Sequence, residues 1–169
     1  MSHKQRDSAR APHALAGDRE RRILFDASAL AKRYASEPGH ERMLALLDQA
    51  NQVWVAAHCQ CELAGALLQR HRDGSLPLDE FDRAWAAAQR DVADMGRVAL
   101  DETVERFAFA ALQHRALRVS DALHIGSALA ARVELFVTAD RRQAEAARAL
   151  GLRTEYLGEM AMAGKGQAT

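Results

Sequence analysis

A chain of 169 residues falls within the size of a single domain and is long enough to bury its own core. Its 23 Lys and Arg balance 23 Asp and Glu, a formal net charge of zero, which excludes a domain that grips nucleic acid through overall basic charge. Hydrophobic residues make up 49% but aromatics only 5%, so alanine and leucine carry the apolar content and bias the chain toward helices.

The opening "MSHKQRDSARAPHALAGDRERR" lacks the apolar core of ~7–15 residues of a secretory signal, and no stretch approaches the ~18 apolar residues of a membrane span. Residues 1–21 are polar, basic and without periodicity. They are expected to form a flexible arm, or to follow from a start codon set too far upstream. Cys59 and Cys61 stand one residue apart, a poor geometry for a disulfide framework. A reducing cytoplasm, with no membrane contact, is the expected location.

Ile23 to Phe25 is a short apolar run ending on Asp26, the pattern of a buried strand that delivers a residue at its carboxyl end. Ser28 is expected to cap a helix carrying Leu30, Ala31 and Tyr34, broken at Pro38 and Gly39. A second helix holds Met43, Leu44 and Leu47. "QVWVAA" predicts a second strand, and Cys61 to Arg70 a helix with Glu62 on its first turns.

After the turn "DGSLP", Phe81, Trp85, Ala88, Val92 and Met95 recur at steps of three and four, the stripe of a core-facing helix. "GRVAL" predicts a third strand, and Val104, Phe107, Ala108, Ala111 and Leu112 another amphipathic helix. Ser120 is expected to cap a helix from Asp121 to Arg132. "ELFVTA" predicts a fourth strand, Asp140 opens an alanine-rich helix that Gly151 ends, and "RTEYL" offers a last edge strand. Residues 159–169 are expected to form a flexible tail.

Strands alternating with helices imply an α/β fold of three layers, α/β/α, around a central, mainly parallel sheet of four to five strands. Ligands of such sheets bind beyond the carboxyl ends of the strands. Asp26 and Asp140 both stand there. Two unit charges about 4 Å apart repel by roughly 4 kcal/mol at an effective dielectric of 20, so a cluster of acids implies a counter-ion or a shared proton. Magnesium and manganese take oxygen ligands. For each Asp alone, a place at a helix start without any metal is an equally good reading, and for Glu62 the alternative is a solvated edge position.

"FDASALAKRYASEPGHE", the helix around Glu62, "SDALHIGSALA" and "FVTADRRQAEAARALGL" together resemble the PIN-domain ribonucleases, specifically the VapC-type toxins of toxin–antitoxin modules. The resemblance spans residues 22 to about 157 and places a PIN domain at 22–158. It implies an endoribonuclease dependent on one or two Mg2+ or Mn2+ ions, neutralised by a cognate antitoxin, with RNA as substrate. It also implies a homodimer that meets DNA only through the antitoxin.

Carried over position by position, Asp26, Glu62, Asp121 and Asp140 match the family's acidic quartet. Asp26, Asp121 and Asp140 would hold metal, with Glu62 bound directly or through water. Ser28 and Thr138 match supporting hydroxyl positions. His124, three residues after Asp121, shares its helix face and is read as packing against or supporting the pocket.

Lys32, Arg33, Arg141 and Arg142 flank the acidic strand ends and are candidates for contacts with RNA phosphates. His58, Cys59 and Cys61 form H-C-x-C, but a structural zinc site needs four ligands and no second pair lies nearby. A haloacid dehalogenase-like phosphatase would need a second Asp where Ser28 stands, and a receiver domain a Lys that is absent near "VTAD". The remaining alternatives are a catalytically silent PIN-like binding module or another metal-dependent phosphohydrolase.

Overall fold

The computed structural model describes residues 21–158; the expected tail and all but the last residue of the expected arm lie outside them. That last residue, Arg21, is anchored. Its amide donates to Asn51 Oδ1 at 2.7 Å and its guanidinium to Gln49 Oε1 at 2.7 Å.

Among the described residues five strands, β1 (Arg22–Phe25), β2 (Gln52–Ala56), β3 (Gly96–Val98), β4 (Leu135–Thr138) and β5 (Thr154–Tyr156), form one sheet. Its order is β3-β2-β1-β4-β5 and every pairing is parallel. The helices are α1 (Ala27–Ala31), α2 (His40–Asp48), α3 (Cys59–Arg72), α4 (Leu78–Asp94), α5 (Glu102–His114), α6 (Val119–Ala130) and α7 (Arg141–Ala149), with a 3-10 turn at Lys32–Tyr34.

The period-two alternation of a strand divides the core in two. Ile23 and Phe25 of β1, in register with Leu135 and Val137 of β4, point to one face. There they meet Leu30, Met43, Leu46, Leu63, Leu67, Ala88 and Val92 from α1 to α4. Leu24 and Phe136 point the other way, onto Ala108, Ala111, Ala122, Ile125, Ala128 and Ala147 from α5 to α7. Three layers result, and the expected stripe on α4 packs against the first core.

Two expected caps belong to other residues. Asp26, not Ser28, caps α1, because the helix begins at Ala27 and the Asp26 carboxylate accepts from the Ala29 amide. α6 begins at Val119, one residue ahead of the expected cap, with Arg118 at its N-cap position and Ser120 inside the first turn. Asp140 does cap α7, accepting from the Arg142 and Gln143 amides. Gly151, at φ 86°, takes the left-handed conformation that follows a helix end.

Candidate metal centre

β1 is central: the chain steps outward from it through β2 to β3, then crosses back to place β4 and β5 on its other side. The crevice beyond the carboxyl ends of β1 and β4 is therefore the topological switch point of the sheet, where ligands of open α/β folds sit. A cavity of about 320 Å³ opens there, lined by Asp26, Ser28, Glu62, Arg118, Asp121, His124 and Asp140. All four acids of the expected quartet thus face one space.

Asp26 is 3% exposed. Its Oδ1 accepts from the Ala29 amide at 2.7 Å and its Oδ2 from the Thr138 hydroxyl at 2.8 Å, while the Ser28 hydroxyl lies 2.9 and 2.8 Å from the two oxygens. Burial pushes its pKa up, opposed by His124 and by these donors. Ser28 Oγ in turn accepts from the Ala139 amide at 2.9 Å, tying the start of α1 to the end of β4.

Thr138 is fully buried at the last position of β4. Its single hydroxyl hydrogen faces two acceptors, Asp26 Oδ2 and Gln143 Oε1 at 2.5 Å, and its oxygen accepts from the Asp140 amide at 2.9 Å. Gln143 Nε2 continues the chain by donating to the Asp121 carbonyl at 2.9 Å. Asp26, Thr138, Gln143 and the first turn of α6 are therefore linked by one buried hydrogen-bond path. Sequence reasoning missed Gln143, because nothing in an alanine-rich helix marks a glutamine as its buried polar residue.

Asp140 spends Oδ1 on the two amides of its cap, at 2.7 and 3.0 Å. Its Oδ2 lies 4.0 Å from Arg118 Nη2, and Asp121 Oδ2 lies 3.2 Å from Arg118 Nε. One guanidinium is thus the counter-ion of two carboxylates. Arg118 was also missed, although its place three residues before Asp121 puts both on one helix face. It is the basic residue lining the cavity.

Glu62 meets His124 Nε2 at 2.5 Å and stands 3.6 Å from His58 Nε2. The two rings lie side by side, 4.3 Å between centroids, and His58 Nε2 donates to the Ser120 carbonyl at 3.2 Å. Burial pushes the Glu62 carboxyl up, but the His124 hydrogen bond and charge, Ser120 and His58 outweigh it and hold it at about 2. Burial and the neighbouring His124 hold His58 below the usual imidazole range, against the pull of Glu62. Cys59 is buried and Cys61 exposed, so the H-C-x-C run does not converge.

The expected basic residues separate into two groups. Arg141 and Arg142 are exposed and, with Arg118, Asp121 and Asp140, line a second cavity of about 470 Å³ beside the first. Lys32 and Arg33 are not at the pocket. Lys32 is 9% exposed, its ammonium donating to the Pro38 carbonyl at 2.7 Å and pairing with Glu37. Arg33 pairs with Asp91 at 2.6 Å, an oxygen it shares with the Tyr34 hydroxyl. The turn after α1 carries both away from the strand ends, toward α2 and α4, where each has a carboxylate partner.

No helix among the described residues is long and apolar enough to cross a membrane. The PIN domain profile matches residues 23–149. Ribonuclease VapC45 of Mycobacterium tuberculosis (strain CDC 1551 / Oshkosh) is 34% identical over 137 residues, covering 78% of this chain and 92% of that protein.

Among solved structures, Mycobacterium tuberculosis VapC20, described as a sarcin-ricin loop cleaving toxin, superposes with a TM-score of 0.58 at 18% identity. The match covers 73% of this chain and 94% of that one. VapBC2 from Rickettsia felis, bound to a DNA fragment from its promoter, gives a TM-score of 0.58 at 11% identity over 80% of this chain and 98% of that one. With the profile covering most of the described residues and its acidic strand ends in one crevice, the chain belongs to the PIN-domain family.

Proposed function

We propose that this chain is a metal-dependent endoribonuclease of the VapC toxin type, hydrolysing RNA phosphodiester bonds at the cavity beyond β1 and β4. The observation that carries the reading is the convergence of Asp26, Glu62, Asp121 and Asp140 on one space. The name and 34% identity of the VapC45 ribonuclease support the reaction.

The donor set fits a hard divalent cation. Every candidate ligand of the quartet is a carboxylate, and oxygen ligands are what magnesium and manganese take. Asp26, Asp121 and Asp140 would hold one or two such ions, with Glu62 bound directly or through water. When bound, the ion supplies Lewis-acid chemistry, lowering the pKa of water and neutralising phosphoryl charge.

The chain's own contribution is position. Asp26 is aimed by Ser28, Thr138 and the Ala29 amide, and Asp140 by its cap, so both carboxylates are oriented before substrate arrives. Glu62, ionised across the physiological range, orders the attacking water. Arg118, Arg141 and Arg142 are placed to hold RNA phosphates, Arg118 by exchanging Asp121 and Asp140 for a phosphate oxygen. Attack by water opposite the leaving group forms a P–O bond and breaks the P–O3′ bond. The 3′-oxygen takes a proton, leaving 5′-phosphate and 3′-hydroxyl ends.

The protein partners of this reading are a cognate antitoxin, a second copy of the chain, and DNA only through the antitoxin, in a cytoplasmic setting. Solved toxin–antitoxin assemblies of the same fold support the antitoxin. The test is cleavage of structured RNA by the purified, antitoxin-free protein. Cleavage is expected with Mg2+ or Mn2+ and is expected to stop with EDTA; cleavage that EDTA leaves unchanged contradicts the metal assignment.

A further inference from the structure

At the Glu62 end of the cavity the donors change from oxygen to nitrogen. His58 immediately precedes α3 and Glu62 stands one turn later, while His124 reaches the same point from α6. One donor atom from each of the three lies within 4.8 Å of the others. His58 Nε2 donates to the Ser120 carbonyl at 3.2 Å, so ligation by His58 through Nε2 exchanges that hydrogen bond for an ion. His124 Nε2 meets Glu62 Oε2 at 2.5 Å, and His58 Nε2 stands 3.6 Å from the same oxygen. Ligand atoms around a tetrahedral ion with metal–nitrogen bonds of ~2.0–2.1 Å stand about 3.3 Å apart, and the two observed separations bracket that value.

His124 is 1% exposed, and its Nδ1 has no hydrogen-bond partner. Its polar commitment therefore lies on the Nε2 side, where Glu62 and His58 converge. Ligation through Nε2 places the ring proton on Nδ1, a buried N–H without an acceptor, and the bound ion must offset that cost. A bare quartet of carboxylates calls for neither imidazole.

Imidazole suits zinc, cobalt and nickel, whereas carboxylate and water suit magnesium and manganese. Two histidines and one glutamate are also a donor set that holds zinc while leaving a coordination position open. We propose that His58, Glu62 and His124 form a nitrogen-rich subsite for a borderline divalent ion of the zinc and cobalt class. Glu62 is the ligand it has in common with the acidic pocket. The subsite needs Glu62 but not RNA hydrolysis, so it stands or falls apart from the proposed reaction.

Cobalt(II) is the probe, titrated into the full-length protein after chelator treatment and followed by its visible absorption. A band is expected that zinc displaces. His58→Gln and His58→Ala, both at a half-buried position before α3, are expected to weaken cobalt binding by at least about tenfold, since even outer-shell changes cost ~10–100-fold in metal affinity. Asp140→Asn, which keeps a good N-cap, is expected to leave the band in place.

No band with the wild-type protein overturns the proposal. So do unchanged binding in both His58 variants, or a band lost in Asp140→Asn and kept in His58→Ala. Failure of Mg2+- or Mn2+-dependent RNA cleavage beside an intact cobalt band would count against the nuclease reading alone.

Discussion

Asp140 divides its two oxygens between fold and site. Oδ1 closes the first turn of α7, and Oδ2 faces Arg118 across the cavity. Asp26 does the same for α1, with Thr138 holding its second oxygen. The two readings that compete in the sequence, helix cap and metal ligand, are therefore compatible, because a carboxylate accepts on both oxygens. These positions are legible from an apolar run that ends on Asp. Glu62 and Asp121 are legible only through the family resemblance, and His58 through neither, because its partners come from α3 and α6, 62 residues apart.

Two predictions belong to this scale. Glu62 is held at about 2 against an ordinary 4.5, so between those values the unfolded chain binds more protons and stability rises with pH. The contribution is complete above about 4.5 and is lost as pH falls toward 2. Urea unfolding of the metal-free protein at about pH 5 and about pH 3 checks it. The wild type is expected to lose more stability over that interval than Glu62→Gln, and equal losses would remove the argument.

Burial also pushes the Cys59 thiol up, beyond the reach of mild thiol reagents, while Cys61 is exposed. One fast-reacting thiol per native chain is therefore expected, and two after denaturation. Two fast thiols in the native protein would contradict the packing of Cys59.

At the scale of elements, α5 and α6 approach closely at Gly126. A methyl group on Gly126 would lie 2.4 Å from the Val104 carbonyl oxygen and 3.0 Å from the Ala108 nitrogen. Helix propensity alone would favour alanine there by about 0.8–1.0 kcal/mol, but backbone atoms cannot rotate aside and overpacking typically costs ~1–3 kcal/mol. Gly126→Ala is therefore expected to lower the stability measured by denaturant unfolding. An increase would mean that α5 and α6 can separate at little cost.

The periodicities of α4 and α5 made their buried faces readable, since Ala88 and Val92, and Val104, Ala108 and Ala111, follow the three-and-four spacing. The starts of α1 and α6 were less readable. Ser28 and Ser120 are good capping residues, yet each helix begins ahead of them: Asp26 takes the cap of α1 while Thr138 holds its other oxygen, and His58 donates to the Ser120 carbonyl in the first turn of α6. Lys32 and Arg33 show the same limit. Proximity in sequence to Asp26 says nothing about direction once the chain turns after five helical residues.

Over the whole molecule, the neutral charge conceals a local separation. Four acids gather at the switch point of the sheet, and Arg118, Arg141 and Arg142 rim the adjoining cavity. The α/β architecture was readable because β1, β2 and β4 are short, mainly apolar runs between helical stretches. The strand order was not, since placing β1 between β2 and β4 depends on long-range pairing that no local pattern encodes.

The central claim is that these acids act as one catalytic unit, and single-turnover RNA cleavage by Asp121→Asn beside the wild type, at the same Mn2+ concentration, tests it most directly. Removing one member of such a unit is expected to slow cleavage by at least about 100-fold, on the order of 2.7 kcal/mol of transition-state stabilisation. Equal rates for the two proteins would contradict the assignment.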